Sequence, residues 1–389
     1  MTLRPLTLIG IIISIVTGTS LGVLLHIHTG HKSPSDPALT LTEALRHVNE
    51  NYVEEVNQTE LLDNAIEGMM RGLDDHSGYL NPSAYSSLEA NTRGEFGGIG
   101  IELGLVDGYF TIISPMDDTP ADEAGVEPGD RITALNGESV KGKKLADIVE
   151  TLRGKPGTVV DVRVRREDNP DPIDFALQRA VIQLQSVRSR MLEPGYGYIR
   201  ISQFQSNTAS DVTTALQALE RDADGQLHGL VVDLRNNPGG TLQSSVQVAD
   251  HFLERGLIVY TEGRLKSSHA KYRATRGDLL DGAPIVVLIN KGSASASEIV
   301  AGALQDHGRA QLVGSKSYGK GSVQAVVPLA ENQALKITTA HYYTPNGRSI
   351  HKQGIEPDIP LQGEEEDLLD KAVALLKLAP NQGLQARAD

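Results

Sequence analysis

A chain of 389 residues exceeds one ordinary hydrophobic core and implies two or three domains. Hydrophobic residues at 39% and charged residues at 22% describe a folded globular protein, and 39 glycines favour a turn-rich architecture containing β-structure. The net charge of −14 argues against a nucleic-acid binder, whose phosphates it would repel. The absence of cysteine excludes disulfides, thiolate metal sites, a cysteine nucleophile and a lipidated N-terminal cysteine.

After Arg4, an uncharged and mostly apolar run extends from Pro5 to Leu25. It holds about 21 residues, or roughly 31 Å of helix, enough to cross the hydrocarbon core of a bilayer. Residues 1–30 therefore read as an uncleaved anchor or as a cleaved secretory signal, with small residues such as Thr17, Ser20 and Gly22 inside the run. Either reading puts the remainder of the chain outside the cytoplasm. "HKSPSDPA" (His31 to Ala38) is a short polar linker.

Residues 31–95 carry helical periodicity, with Ala44, Val48, Tyr52 and Val53 on one stripe and Leu62, Ile66, Met69 and Leu73 on another. "LDDHSGYLNPSAY" interrupts them with turn residues. From Phe96 the period changes. "FGGIGIEL", "YFTIISPM", "DRITALNG" and "VVDVRVRRE" read as strands, with one short amphipathic helix at "KLADIVETLRG", and they define a β-rich module over 96–177. Residues 178–361 alternate strand-like runs ("YGYIRISQF", "GLVVDLR", "PIVVLIN", "AQLVGS", "GSVQAVVPL", "ALKITTAHYYT") with helical stretches. That alternation predicts an α/β domain with a largely buried sheet. The tail, 362–389, is an amphipathic helix whose acidic start suits the helix dipole. The expected class is multidomain α+β.

Chemistry concentrates in "NKGSASASEIVAG", Asn290 to Gly302, where Ser293, Ser295 and Ser297 alternate after a buried strand and before a helix. A hydroxyl at such a turn lies beside unpaired amides and the positive helix end, which stabilise an oxyanion. Ser295 and Glu298 equally fit the S-x-x-E capping box, a purely structural role. A nucleophile also needs a proton acceptor, and no histidine falls in a familiar triad pattern, with His307 and His341 left open. A lysine whose pKa is lowered by burial can serve instead. "GSKSYGKGSVQ" offers Lys316 and Lys320, the latter between Gly319 and Gly321, and an extended chain would put Lys320, Ser322 and Gln324 on one face.

The same loop imitates the P-loop pattern G-x-x-x-x-G-K, but Gly321 stands where Ser or Thr would hold Mg²⁺, and a strand-like run follows in place of a helix. "VVDLRNNPGGTL" adds a turn at Pro238, Gly239 and Gly240 whose amides can donate to an oxyanion. No metal-ligand spacing appears, and neither metal nor cofactor is expected.

In combination these motifs are more specific. "FGGIGIEL" through "LADIVETLRGKPGT" resembles a PDZ domain, which implies peptide capture by strand addition, with a carboxylate nest at Gly97, Gly98, Ile99 and Gly100. The order PDZ, "DLRNNPGG", "SASASEI", "GKGSVQ" resembles the carboxyl-terminal processing (tail-specific) serine peptidases over roughly Leu73 to Ile359. "LDDHSGYL" also resembles a family segment, with Asp75 where proline is frequent. The resemblance implies Ser295 as nucleophile, Lys320 as general base, Gln324 as the residue that positions the lysine, and the amides of Gly240 and Ala296 as oxyanion donors. It implies proteins with disordered C-termini as substrates, homo-oligomers formed through the terminal helices, and an adaptor or activator protein as a further partner. Arg153, at the end of the PDZ helix, is a candidate coupler between PDZ domain and core. The absence of a long Ser- and Arg-rich leader favours a bacterial periplasmic enzyme held at the inner membrane, or secreted after cleavage. The rival expectation is a noncatalytic, membrane-tethered PDZ scaffold.

Overall fold

The computed structural model describes residues 36–379 except 168, 170, 276, 362 and 364, so the apolar run at 5–25 lies outside the described residues. Among the described residues no helix is long and apolar enough to cross a membrane. The chain divides into two compact units, Met1–Leu73 and Asp74–Asp389.

In the first unit, α1 (Pro37–Asn51) and α2 (Gln58–Arg71) begin where the sequence supplies caps. Asp36 Oδ1 accepts from the Ala38 amide at 3.0 Å, and Asn57 Oδ1 accepts from the Thr59 amide at 3.0 Å. Each first turn thereby gains an acceptor for an otherwise orphaned N–H.

The second unit opens with a short strand, β1 (Gly78–Leu80), and a helix, α3 (Pro82–Arg93), that ends at Gly94 in the left-handed region. Strand β2 (Glu95–Gly98) follows. The β-rich domain then comprises β3 (Ile101–Val106), β4 (Tyr109–Pro115), α4 (Pro120–Glu123), β5 (Arg131–Leu135), β6 (Glu138–Ser139), α5 (Leu145–Leu152), β7 (Val159–Arg165) and β8 (Ile173–Gln178). Its sheet runs β3-β4-β5-β7-β8 with β6 on β5. Strand β7 shows why the sequence folds this way: Val160, Val162 and Val164 alternate inward onto Ile112 and Ile148, while the residues between them are exposed.

Strand β9 (Ala180–Gln183) leaves that domain and pairs antiparallel with β2, Gly97 opposite Val181 and Gly98 opposite Ala180. The two chain crossings into the β-rich domain thus form one ribbon. Gly97 is required there by close approach, since a Cβ would sit 2.0 Å from the Gly154 carbonyl oxygen.

The remaining strands form two sheets, where the sequence pattern suggests one. The first uses β10 (Val187–Glu193), β11 (Tyr196–Ile201), β12 (Gly229–Asp233), β15 (Ile285–Ile289), β16 (Ala310–Gly314) and β19 (Ile359–Pro360) in that order, parallel except at β10–β11. Every residue of β12 and β15 is buried, as expected of β-branched runs covered on both faces. Helices α6 (Thr208–Asp222), α7 (Leu242–Asp250) and α8 (Ala296–Asp306) contribute to the core on one face. The terminal helix α9 (Glu365–Leu378) packs Leu369, Ala372 and Leu376 with Val231, Val286 and Val313 on the other. The second sheet is antiparallel: β1, β18 (Ala334–Tyr343), β13 (Gly256–Glu262) and β14 (Ala270–Ala274) in order, with β17 (Ser322–Pro328) on β18. Its β17 and β18 segments are only partly buried, so they pair as a hairpin and do not insert into the buried parallel sheet.

Candidate active site

Two turns meet beyond the C-terminal ends of the adjacent parallel strands β12 and β15, where open α/β sheets place ligands. The first turn runs from Leu234 to Thr241. Asp233, fully buried, closes β12 and accepts a two-pronged ion pair from Arg235 at 2.9 and 2.6 Å and a hydrogen bond from the Tyr198 hydroxyl at 2.8 Å. Burial pushes the Tyr198 hydroxyl up to about 12, so it remains a donor. Asn237 is equally buried: its Nδ2 donates to the Ile201 carbonyl at 2.9 Å, and its Oδ1 accepts from the Gly239 amide at 2.9 Å.

The three alternating serines now separate by role. The Ser293 hydroxyl donates to the Leu234 carbonyl at 2.7 Å, and the Ser297 hydroxyl donates to the Asn237 carbonyl at 3.0 Å. The outer pair therefore ties the second turn to the first. Ser295, the middle one, is the N-cap of α8 with φ +57° and ψ −113°, a conformation that costs a non-glycine residue on the order of 1–3 kcal/mol. Strain of this kind is how strand-to-helix elbows expose a nucleophile. Gly239 makes the approach possible, since a Cβ there would lie 2.7 Å from Ser295 Cβ.

Ser295 lines a cavity of about 100 Å³ together with Gly240, Leu242, Ala296, Ile299, Val323, Gln324 and Tyr342. The amides of Gly240 and Ala296 find no acceptor among the described residues. Ala296 is the first residue of α8, so its N–H also lies at the positive helix end.

Glu298 joins this half of the site to the lysine loop. The carboxylate is fully buried and accepts four hydrogen bonds. They come from the Ser295 amide at 2.7 Å, the Lys320 amide at 2.9 Å, the Gly319 amide at 2.7 Å and the Ser317 hydroxyl at 2.6 Å. Burial pushes its pKa above the usual carboxylate range, and these donors oppose that shift. The capping-box expectation is thus only part of its role.

Lys320 is half-buried, and that desolvation, aided by the charge of Lys336, lowers its pKa, with Glu298 pulling the other way. Its carbonyl accepts a short hydrogen bond from the Tyr342 hydroxyl on β18. Gln324 Nε2 donates to the Ser322 hydroxyl at 2.9 Å and to Thr338 Oγ1 at 3.3 Å, which puts Ser322 and Gln324 on one face as expected. No hydrogen bond joins Gln324 to Lys320 among the described residues. The other bases are tied elsewhere. Lys316 pairs with Glu356 at 2.6 Å, His307 caps the far end of the 11-residue α8 and meets the Leu257 carbonyl at 2.7 Å, and His341 Nδ1 lies 3.3 Å from the Gly321 carbonyl. A strand follows Gly321, so the phosphate-binding helix of a P-loop is not there.

In the β-rich domain, Gly97 and Gly98 are committed to the ribbon. The amides of Ile99 and Gly100 have no acceptor among the described residues, and Gly100 has φ +77°. Arg153 stacks over Phe96 with its guanidinium carbon 4.8 Å from the ring centre. Among the described residues no cluster of His, Asp and Glu is arranged to hold a metal.

Residues 195–361 match the family described as peptidase family S41, and residues 111–166 match the PDZ domain. Residues 29–84 match the N-terminal domain described for the activating protease CtpB. A carboxy-terminal-processing protease of Bartonella bacilliformis is 44% identical over 82% of this chain and 74% of its own length. The carboxy-terminal processing protease CtpB of Bacillus subtilis is 38% identical over 85% of this chain and 69% of its own. This chain belongs to the carboxy-terminal processing serine proteases of family S41. Among solved structures, the photosystem II D1 C-terminal processing protease is 31% identical over 83% of this chain and 92% of its own, with a TM-score of 0.48. The protein is accordingly a multidomain α/β protease with a PDZ domain.

Sequence reasoning missed three groups that shape this S41 site: Asn237, Tyr342 and the Asp74–Thr338 pair. The doubled asparagine before Pro-Gly-Gly was a signal for the first. Nothing local marks the others, because they reach the site through sheet pairing.

Proposed function

We propose that this protease is an extracytoplasmic serine endopeptidase with a Ser295/Lys320 dyad. Neutral Nζ of Lys320 takes the Ser295 proton as Oγ bonds to a peptide carbonyl carbon, and the oxyanion forms between the Gly240 and Ala296 amides. The C–N bond then breaks, the lysine proton passes to the leaving amine, and an acyl-serine remains. Water, losing a proton to Lys320, adds to the ester carbonyl, and that proton passes from Lys320 to Ser295 Oγ as the acyl–oxygen bond breaks, which restores both groups. Gln324 positions the lysine. The observation that carries this reading is the strained Ser295 facing a cavity beside two amides without acceptors.

That cavity, about 100 Å³ and walled by Leu242, Ile299 and Val323, suits a small aliphatic side chain before the cleaved bond. The Ile99 and Gly100 amides capture the substrate's terminal carboxylate, and the tether raises its concentration at Ser295. Arg153, stacked at the root of that nest, couples the PDZ domain to the core. Residues 1–30 hold the enzyme at a bacterial inner membrane or direct its secretion. Exposed Leu39, Tyr52 and Val53 on the terminal helical region favour a homo-oligomer or a protein activator as partner.

The test compares the full-length wild type, Ser295→Ala and Lys320→Ala on an unfolded protein with an apolar C-terminus. The wild type should cleave and both variants should lose at least about 10³-fold in kcat. Full activity in Ser295→Ala defeats the reading. Loss in Ser295→Ala alone transfers the base to another residue, and an inert wild type favours the scaffold.

A further inference from the structure

The segment "LDDHSGYL", Leu73 to Leu80, has no part in the reaction above, yet its Asp74 reaches the lysine side of the site. Asp74 Oδ1 accepts from the amides of His76 at 2.8 Å and Ser77 at 2.7 Å, which pins the carboxylate within its own turn. The Thr338 hydroxyl donates to the same oxygen at 3.2 Å, and the Ser77 hydroxyl donates to Oδ2 at 3.0 Å. The Thr338 amide donates in turn to Ser77 Oγ at 3.1 Å, so strand β18 and the turn are bonded at two points. Burial pushes the Asp74 carboxyl up, but the donors from His76, Ser77 and Thr338 outweigh it and hold the group below its ordinary value.

The sense of these bonds matters. A carboxylate accepts only, so the Thr338 hydroxyl spends its single proton on Asp74. What it presents to Gln324 is a lone pair, and Gln324 Nε2 donates to it at 3.3 Å and to Ser322 Oγ at 2.9 Å. An amide side chain has a donor end and an acceptor end, and a half-turn exchanges them. With Nε2 held by two hydroxyls, Oε1 is the end left over, and no described residue donates to it.

We propose that Asp74 and Thr338 are positioning residues that fix which way round the Gln324 amide sits, leaving Oε1 to accept from the Lys320 amine. This inference rests on the Ser295/Lys320 reading. Without Asp74, the Thr338 proton is free to point at Gln324, and the reversed amide then offers donors to an amine that needs an acceptor.

The experiment measures kcat and KM of the full-length enzyme carrying Thr338→Val, Thr338→Ser or Asp74→Ala, each alone and with Gln324→Ala. Thr338→Val and Asp74→Ala should each lower kcat about tenfold with KM within about twofold, while Thr338→Ser, which keeps the hydroxyl, retains activity. In the Gln324→Ala background neither should lower kcat further, because the group they orient is gone. A merely structural role predicts the same proportional loss in both backgrounds. That result overturns the proposal, as does wild-type kcat in Thr338→Val or in Gln324→Ala. Should Asp74→Ala fail to fold, the Val and Ser variants of Thr338 decide alone. Activity in Ser295→Ala defeats the dyad itself, whereas an inert Ser295→Ala with additive losses defeats only this relay.

Discussion

The nucleophile turn and the lysine loop are built in opposite ways. Around Ser295, side chains do the fastening: Ser293, Ser297 and Asn237 each bond to a carbonyl in the facing turn or strand, all of them fully buried. Around Lys320 it is the backbone that is held, by Glu298 at its amide and Tyr342 at its carbonyl, and glycines flank it on both sides. The oxyanion half is thus cross-braced by buried side chains, while the base half is held mainly along its backbone, where the amides of Lys352 and Tyr342 also donate to the Gly319 and Gly321 carbonyls at 2.8 and 3.1 Å. A serine hydroxyl must be aimed within a narrow range, but a lysine needs only its end group delivered, so the fold fastens with buried side chains where aiming matters.

Glu298 joins both halves with four hydrogen bonds to one buried carboxylate, so its loss should have the largest effect. Glu298→Ala leaves four donors without their acceptor, each a buried loss of about 1–3 kcal/mol before relaxation. We expect kcat to fall at least about 10³-fold, with a clear drop in melting temperature by calorimetry. Near-native activity would mean that the loop's remaining bonds suffice to place the lysine without this carboxylate.

The contrast also explains what was legible in the sequence. The serine turn is local: strand, alternating serines and helix follow one another directly between Ile285 and Asp306, and their roles follow from periodicity and capping. The parallel sheet was legible for the same reason, since "GLVVD" and "IVVLI" announce buried strands. The lysine side is assembled from afar. Thr338 meets Asp74 across 264 positions, and Tyr342 meets Lys320 across 22, through strand pairings that no window of sequence displays. The splitting of the strands into two sheets was hidden likewise, because β17 and β18 resemble core strands in composition and differ only in how one face is left partly exposed. Gly97 and Gly98 look like nest residues but are taken by the ribbon, a choice set by the approach of Gly154.

The pH profile should sharpen the comparison next. Burial lowers the Lys320 pKa, and the charge of Lys336 adds to the effect. A base acts when neutral, so kcat/KM should rise with pH through a limb lying below the ordinary lysine value of about 10.4. The sign for stability is the same: the unfolded chain binds the proton more readily in that window, so stability also rises with pH there. Lys336→Met removes a repelling charge, and its limb should move to higher pH. A limb that stays in place would show that desolvation alone sets the lysine.

The smallest effect should come from the outer serines, and it should fall on stability. Ser293→Ala strips the Leu234 carbonyl of a donor and the Asn290 amide of an acceptor, a cost of about 1–3 kcal/mol. In a domain of this size, 1 kcal/mol corresponds to a fall in melting temperature of about 2–4 °C. Activity below that temperature should stay within about tenfold of the wild type, because Asn237 and Ser297 still hold the turn against α8. A Ser293→Ala enzyme as inactive as Ser295→Ala would instead place the first serine in the chemistry, and the division of labour among the three would have to be redrawn.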